Sequence, residues 1–201
     1  MFLLIVLLGL AVGSFIANFS YRYPRDISIS KGRSVCDNCG YQLTWFDNIP
    51  LLSFILLSGK CRKCNQKISI RYPFIELLTA VLFVIAFLLQ KNIIFNIPLL
   101  NLPIILFLLS TSIAIAIVDF ENQIIPENLT WISFLVVIVS FLLWGGTDFY
   151  VRLFVTFCGA LFLLLLNLST KGRGMGLGDV KLVLFPGFLL GFPLTIIWFF
   201  V

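Results

Sequence analysis

Two aspartates, Asp119 and Asp179, each lie at the end of a long apolar run. Asp119 directly follows Val118, and Asp179 ends the glycine-rich segment GMGLGD at positions 174–179. A carboxylate beside hydrocarbon is energetically costly, so it requires a partner, a water-filled cavity or a functional role. Two adjacent carboxylates can share one proton and activate a water molecule. We therefore predict that the two aspartates form one catalytic site.

Four cysteines form two CxxC pairs, Cys36 with Cys39 and Cys61 with Cys64. Four thiolates at about this spacing suit a tetrahedral Zn²⁺ and leave no open position for a catalytic water. A loop of about fifty residues buries little core by itself and gains stability from such a metal, so we predict structural zinc. A redox-active CxxC and cysteines without a metal are the alternatives.

The chain contains no histidine. This excludes Ser-His-Asp and Cys-His hydrolases, HExxH zinc proteases and histidine proton relays, and it leaves carboxylates as the obvious hydrolytic groups. The alternating glycines Gly174, Gly176 and Gly178 would let the backbone of a substrate approach closely. The alternative for this segment is a flexible turn in which Asp179 caps the next helix. Glu127 is expected to be solvated or capping rather than catalytic.

The elements that position these residues are predicted to be membrane helices. The chain is 60% hydrophobic and 11% charged, whereas soluble domains are about half apolar and about a quarter charged. We predict an all-α polytopic bundle whose first helix is not cleaved as a signal peptide. The six predicted spans are 1–21, 77–90 extended back to position 72, 92–118, 128–147, 153–170 and 182–201.

The basic residues predict the orientation of the bundle. Nine of the fourteen lysines and arginines lie between Arg22 and Arg71, so the positive-inside rule places this loop in the cytoplasm and the N-terminus outside. Both aspartates then reach the cytoplasmic face. We predict a first transmembrane helix at 1–20, a cytoplasmic loop at 21–71 and a transmembrane core at 72–201. The net charge of +5 indicates topology and anionic-lipid contact rather than nucleic-acid binding.

Several ordered motifs resemble those of bacterial type IV prepilin peptidases, which are prepilin leader peptidase/N-methyltransferases. Besides the two CxxC pairs and the two aspartate motifs, the matching stretches are GSFIAN at 13–18, YRYP at 21–24, WFDNIPLLS at 45–53, GKC at 59–61 and ISIRYPFIE at 68–76.

This resemblance implies an aspartic GxGD protease of the bacterial inner membrane, with Asp119 and Asp179 as its catalytic dyad. Members cut the basic leader of type IV prepilins or type II secretion pseudopilins after a glycine. Many then methylate the new N-terminus with S-adenosylmethionine, and the zinc loop is associated with these bifunctional members.

The chain departs from the family pattern at three places. The residue after the proline of the first aspartate motif is usually Asp but here is Glu127, which retains the charge. The first CxxC often contains proline but here reads Asp37-Asn38, and zinc ligation is expected to survive. Members often carry one or two more helices than the six predicted, so we expect a short form or a truncated sequence.

Methyl transfer points to Glu76, which could position or deprotonate the new amine. The alternative is a structural carboxylate paired with Arg71 or a polar neighbour. No glycine-rich Rossmann sequence is present, so the S-adenosylmethionine site rests on the resemblance alone. Two other functions stay open. One is a preflagellin-type GxGD peptidase without methylation, against which the cysteine loop argues, and the other is a non-enzymatic membrane scaffold or channel.

Overall fold

The structure is a computed structural model that describes residues 1–29, 33–36, 38–91, 101–144, 148–171, 176–192 and 194–195. The regular secondary structure of those residues is helical, without a β-strand, which confirms the predicted all-α class. The α-helices are α1 (Phe2–Arg22), α2 (Leu52–Leu56), α3 (Arg71–Lys91), α4 (Leu102–Asn122), α5 (Glu127–Trp144), α6 (Phe149–Ser169), α7 (Leu177–Leu182) and α8 (Leu184–Leu190).

Four helical segments of the described chain are long and apolar enough to cross a membrane. They are Phe2–Arg25, Arg71–Gln90, Leu102–Asn122 and Phe149–Ser169, and Glu127–Leu143 is a shorter apolar helix. The chain is therefore a multi-pass membrane protein. The sixth predicted span, 182–201, is interrupted within the described residues, because α8 ends at Leu190 and Gly191 has a φ of +66°. Residues 193 and 196–201 lie outside the described part of the chain.

The bounds of α4 differ from the predicted span 92–118. Residues 92–100 lie outside the described part of the chain, and the helix begins at Leu102 with a proline in its first turn, where a missing N–H costs nothing. At the other end the helix continues past Asp119 to Asn122 and stops at Gln123, whose φ of 55° is left-handed. Asp119 thus lies in the last helical turn rather than at the end of the helix.

The chain divides into two compact units, Met1–Ile94 with Ser112–Val118, and Phe95–Thr111 with Asp119–Val201. In the first unit α1 packs closely on α3 through two glycines. A Cβ at Gly9 would lie 2.6 Å from the Ala80 Cα, and a Cβ at Gly13 would lie 2.7 Å from the Glu76 Cα. Small residues spaced four apart commonly let membrane helices approach in this way. The same pair is joined by Arg71, which donates to the Ser20 hydroxyl at 2.7 Å.

In the second unit, α5, α6 and α8 pack around the fully buried ring of Phe188. Its centroid lies 5.1 Å from that of Phe141 and 5.4 Å from that of Phe149, both edge to face, a favourable arrangement of aromatic rings. Arg152 of α6 donates to the backbone carbonyl of Leu189 at 2.7 Å. A cation that satisfies carbonyls at a helix C-terminus stabilises that end of α8.

Candidate active site and metal centre

Asp119 lies in the last turn of α4 and is exposed. The Gln123 N–H donates to the Asp119 backbone carbonyl at 2.8 Å and closes the helix. This left-handed termination satisfies one of the orphan carbonyls at the helix end. The helix therefore fixes the backbone of Asp119, and the residue stays exposed.

Asp179 is the third residue of α7, and it is partly exposed. Its Oδ2 accepts a hydrogen bond from the Gly176 N–H at 3.0 Å. An acidic side chain here satisfies a free backbone donor at the positive end of the helix. The residue at the N-cap position itself is Gly176, so Asp179 contributes to capping from inside the first turn. Gly174 lies outside the described residues.

Two contacts join the segment after Asp119 to the segment that carries Asp179. A Cβ at Gly178 would lie 3.0 Å from Ile125 Cδ1 and 3.2 Å from Ile125 Cβ, so glycine is what allows this close approach. Two residues further on, Lys181 forms an ion pair with Glu127 at the start of α5. The structure therefore packs the segment that follows Asp119 against the segment that carries Asp179, within the second unit.

The four cysteines of the loop come together in the first unit. Their sulfur atoms all lie within 4.8 Å of one another. The Sγ atoms of Cys36 and Cys64 are 3.8 Å apart, and those of Cys39 and Cys61 are 4.0 Å apart. A tetrahedral centre with Zn–S bonds of about 2.3 Å has sulfur–sulfur distances of about 3.8 Å. The donor set and its spacing thus fit a Zn²⁺ ion.

The two CxxC pairs adopt the same backbone turn. In each pair the residue after the second cysteine is left-handed, and its N–H donates to the carbonyl of the first cysteine. These residues are Gly40 with φ +66° and Asn65 with φ +56°. An isolated antiparallel bridge closes each turn, Val35 with Gln42 and Lys60 with Lys67. Two such turns facing each other present four thiols to one point, which is the arrangement a structural zinc site requires.

The four thiols are electrostatically unequal. The Gln66 N–H lowers the pKa of Cys64 to about 6, and backbone N–H groups within the second pair lower the pKa of Cys61. At Cys39 the Tyr41 N–H also lowers the pKa, but desolvation and hydrogen bonds with the other thiols outweigh it and raise the pKa to about 11. A divalent cation offsets the effects that raise the pKa of Cys39, because it stabilises all four thiolates at once.

Asp47 anchors the second cysteine turn to the loop, a role that its place in a polar loop does not predict. Its side chain is only 2% exposed. It accepts hydrogen bonds from the Thr44 hydroxyl at 2.7 Å, the Thr44 N–H at 3.0 Å and the Arg62 Nε at 2.9 Å. Desolvation raises the pKa of this carboxyl, but the Thr44 and Arg62 interactions outweigh it and hold the pKa below its ordinary value. Because Arg62 lies inside the second CxxC, Asp47 fixes that turn to the loop.

Glu76 lies inside the packed pair of α1 and α3 and is 8% exposed. Its Oε2 accepts a hydrogen bond from the Leu51 N–H at 2.8 Å, and Leu51 has the strained left-handed φ of 57°. A non-glycine residue holds such a conformation only where its surroundings fix it. This contact therefore favours the structural reading of Glu76, with Leu51 as its polar neighbour.

Two family profiles cover most of the chain. That of the bacterial peptidase A24 N-terminal domain matches residues 7–90, and that of the type IV leader peptidase family matches residues 106–201. The chain belongs to the type IV leader peptidase family. The second match contains both aspartate segments, and the first contains both cysteine pairs.

Curated relatives agree with this assignment. A protein of Bacillus subtilis is 36% identical over 198 residues, which cover 98% of this chain and 77% of the relative. A protein of Vibrio cholerae is 31% identical over 94% of this chain and 77% of its own length, and one of Klebsiella pneumoniae is 35% identical over 91% and 82%. All three are named prepilin leader peptidase/N-methyltransferase. No solved structure matches the chain.

Membership in the family makes this chain a membrane enzyme.

Sequence analysis missed two contacts that the structure shows. Lys181 lies two residues after Asp179 and pairs with Glu127, which was expected to be solvated or capping and is in fact both half-exposed and paired. The sequence did contain a signal for this pair, since Glu127 near the first aspartate and Lys181 near the second carry opposite charges. Gly9 and Gly13 offered a clearer signal, the spacing GxxxG in an apolar helix.

Proposed function

We propose that this enzyme removes the basic leader peptide of a type IV prepilin or pseudopilin at the cytoplasmic face of the inner membrane. Asp119 and Asp179 are its catalytic dyad. The proposal is carried by one observation. The segment that follows Asp119 packs on the segment that carries Asp179 through the Ile125–Gly178 and Glu127–Lys181 contacts in a chain of the leader peptidase family. Two carboxylates on packed segments at helix ends are the groups that can bind and activate a water molecule.

The reaction begins with one aspartate protonated and the other ionised. The ionised carboxylate takes a proton from water as the water oxygen attacks the scissile carbonyl carbon, while the protonated carboxyl donates a hydrogen bond to the carbonyl oxygen. Collapse of the tetrahedral intermediate breaks the C–N bond, and a proton from the dyad passes to the leaving amine. We assign the acid and base roles to the pair and not to one named aspartate.

The position of the dyad suits a substrate that is half in the bilayer. Asp119 lies in the last turn of a membrane-spanning helix, and Asp179 lies in the first turn of α7. A prepilin would keep its basic leader in the cytosol and its apolar stem in the lipid, with the cleavage point between them. The cytoplasmic side of the site follows from the lysine and arginine bias of the loop 21–71.

We further propose that cleavage is followed by methylation of the new N-terminus. The relatives carry both activities in their names, and the four-cysteine loop is the feature that resembles the bifunctional members. S-adenosylmethionine supplies the methyl group as a co-substrate. Zinc bound by Cys36, Cys39, Cys61 and Cys64 would hold the loop in shape, and no step of the reaction passes through it.

The proposal is tested by co-expressing the chain with a prepilin that carries a basic leader and analysing the N-terminus of the product by mass spectrometry. Cleavage after the glycine is expected, together with a mass gain of about 14 Da, the mass of one CH₂. Cleavage without the gain would support the preflagellin-like alternative. An uncleaved prepilin in membranes that contain the folded enzyme would count against leader peptidase activity.

A further inference from the structure

The loop between α1 and α3 exposes an apolar surface that no contact of the described residues accounts for. We call it the α2 surface and define it as Trp45, Phe46, Leu52, Ile55 and Leu56. Their exposed fractions are 71%, 53%, 57%, 68% and 80%, in that order. Large exposed apolar patches mark binding sites for a partner or a membrane. We infer that the α2 surface is inserted into the headgroup layer of an anionic lipid bilayer.

The position of α2 relative to the membrane-spanning helices supports this inference. Leu51, which precedes α2, is hydrogen-bonded to Glu76 at 2.8 Å, and Glu76 lies within the candidate membrane span Arg71–Gln90. A five-residue helix is about 8 Å long, so all of α2 lies within that distance of Leu51. The headgroup layer on each side of a bilayer is of similar thickness, roughly 5–8 Å. The start of α2 is thus fixed at the edge of the bilayer.

The shape of the surface also fits a lipid. A groove of about 470 Å³ runs beside α2. Its apolar lining is formed by Phe46, Ile49, Leu52, Leu56 and Leu57, and its polar lining by Tyr41, Thr44, Ser53 and Arg62. A groove with both apolar and polar lining at the depth of the headgroup layer can accept the upper part of an acyl chain and its headgroup. Apolar side chains that lie in the interface with aromatic neighbours are typical of segments that rest on a membrane without crossing it.

The charge of the surroundings selects an anionic lipid. Nine basic residues and three acidic residues lie between positions 22 and 71. Lys60 follows α2 within four residues, and its bridge with Lys67 places a second exposed lysine opposite it. Each basic residue near an anionic membrane surface adds favourable binding. The basic leader of the proposed substrate would be repelled by the same charges, so the lipid is the better match.

The inference concerns membrane contact and is independent of the cleavage reaction. It is tested on the full chain in nanodiscs that contain equal amounts of phosphatidylcholine and phosphatidylglycerol. Leu56 is replaced by the photocrosslinking residue p-benzoylphenylalanine, and the adducts are identified by mass spectrometry. The same replacement at Phe162, which is exposed on the membrane-spanning α6, is the positive control. A second variant at Ile55 covers the case in which the first does not fold.

Lipid adducts at position 56 that are enriched in phosphatidylglycerol are expected. Lys60→Gln should reduce this enrichment by about fivefold, the factor for one basic residue at an anionic surface. Lys171→Gln, the same charge change at an exposed residue of the other unit, should leave it unchanged. Lipid adducts at position 162 but none at 55 or 56 would overturn the inference. Adducts to a second copy of the chain, or to added prepilin in place of lipid, would overturn it as well.

Discussion

Lys181 forms an ion pair with Glu127 although the two residues are 54 positions apart. Each lies close to one of the proposed catalytic aspartates along the chain, Glu127 at the start of the helix that follows Asp119 and Lys181 in the same short helix as Asp179. The pair therefore fixes the relative position of two segments that otherwise meet only through Ile125 and Gly178 among the contacts described above.

The ion pair is expected to affect activity more than stability. The two side chains are 34% and 60% exposed, and such pairs contribute roughly 0–1 kcal/mol to stability. Glu127→Gln should therefore shift the unfolding free energy by less than about 1 kcal/mol while it lowers prepilin cleavage several-fold, because small displacements of catalytic groups are costly. The measurements are thermal unfolding in detergent and the initial rate of leader removal.

The charge-reversed double variant Glu127→Lys/Lys181→Glu is the matched control. It restores an ion pair with opposite polarity, so it should recover part of the activity that each single reversal loses. Equal loss in the double variant and in the single variants would show that the individual charges matter and that their pairing does not.

Gly178 is expected to tolerate an added side chain poorly. An alanine Cβ would lie 3.0–3.3 Å from three atoms of Ile125, and overpacking of this kind costs about 1–3 kcal/mol unless the neighbour moves. Gly178→Ala should therefore reduce cleavage strongly, while Gly176→Ala, whose nearest neighbour is the Asp179 carboxylate at 3.4 Å, should be milder. Ile125→Val removes the closest atom and should partly rescue Gly178→Ala. If the double variant lost as much cleavage activity as the two single variants together, direct packing between Ile125 and Gly178 would be contradicted.

The helical class and the meeting of the four cysteines follow from local patterns in the sequence. Uncharged runs of about twenty residues require helices in a bilayer, and two CxxC pairs at zinc-like spacing predict that their thiols meet. The start of α3 near Tyr72 was also predictable, because Arg71 marks the end of the charged loop and the structure begins the helix there.

The start of α4 at Leu102 follows from another local signal, the proline next to it, which hydropathy overlooks. Other features depend on contacts between residues that are distant in sequence. Asp47 looks like a solvated loop residue until Thr44 and Arg62 surround it. The Glu127–Lys181 pair gives no periodic signal at all, because its two members belong to different segments.

The loop is expected to bind one zinc ion per chain. Replacing Cys36 and Cys61 by serine removes one thiolate from each CxxC pair, so the metal should be lost and the loop should become sensitive to proteases. Cys158→Ser, at an exposed position of α6, is the matched control and should keep the zinc. Metal analysis of the purified proteins checks this. Wild-type protein without zinc, or zinc retained after the double substitution, would contradict the four-thiolate site.

Glu76 is expected to anchor the loop through Leu51. Glu76→Gln retains a carbonyl oxygen that can accept the Leu51 N–H, so it should keep both cleavage and methylation. Glu76→Ala leaves that buried donor without its partner, a loss of about 1–3 kcal/mol, and should lower methylation and loosen the loop. The measurements are the methylated fraction of the product and the rate of proteolysis within the loop. Full cleavage with no methylation in Glu76→Gln would instead identify this residue as a group that acts on the amine.

The most direct test of the two-aspartate account is cleavage of a co-expressed prepilin by Asp119→Asn and Asp179→Asn. Each change replaces a carboxylate by an amide of nearly equal size, so it removes the acid–base group while it keeps the shape of the site. Both variants should accumulate in membranes at wild-type levels and should leave the leader intact, because neither remaining carboxyl can serve alone as both acid and base. Leader removal that persists in either variant at a rate near that of the wild type would contradict the dyad.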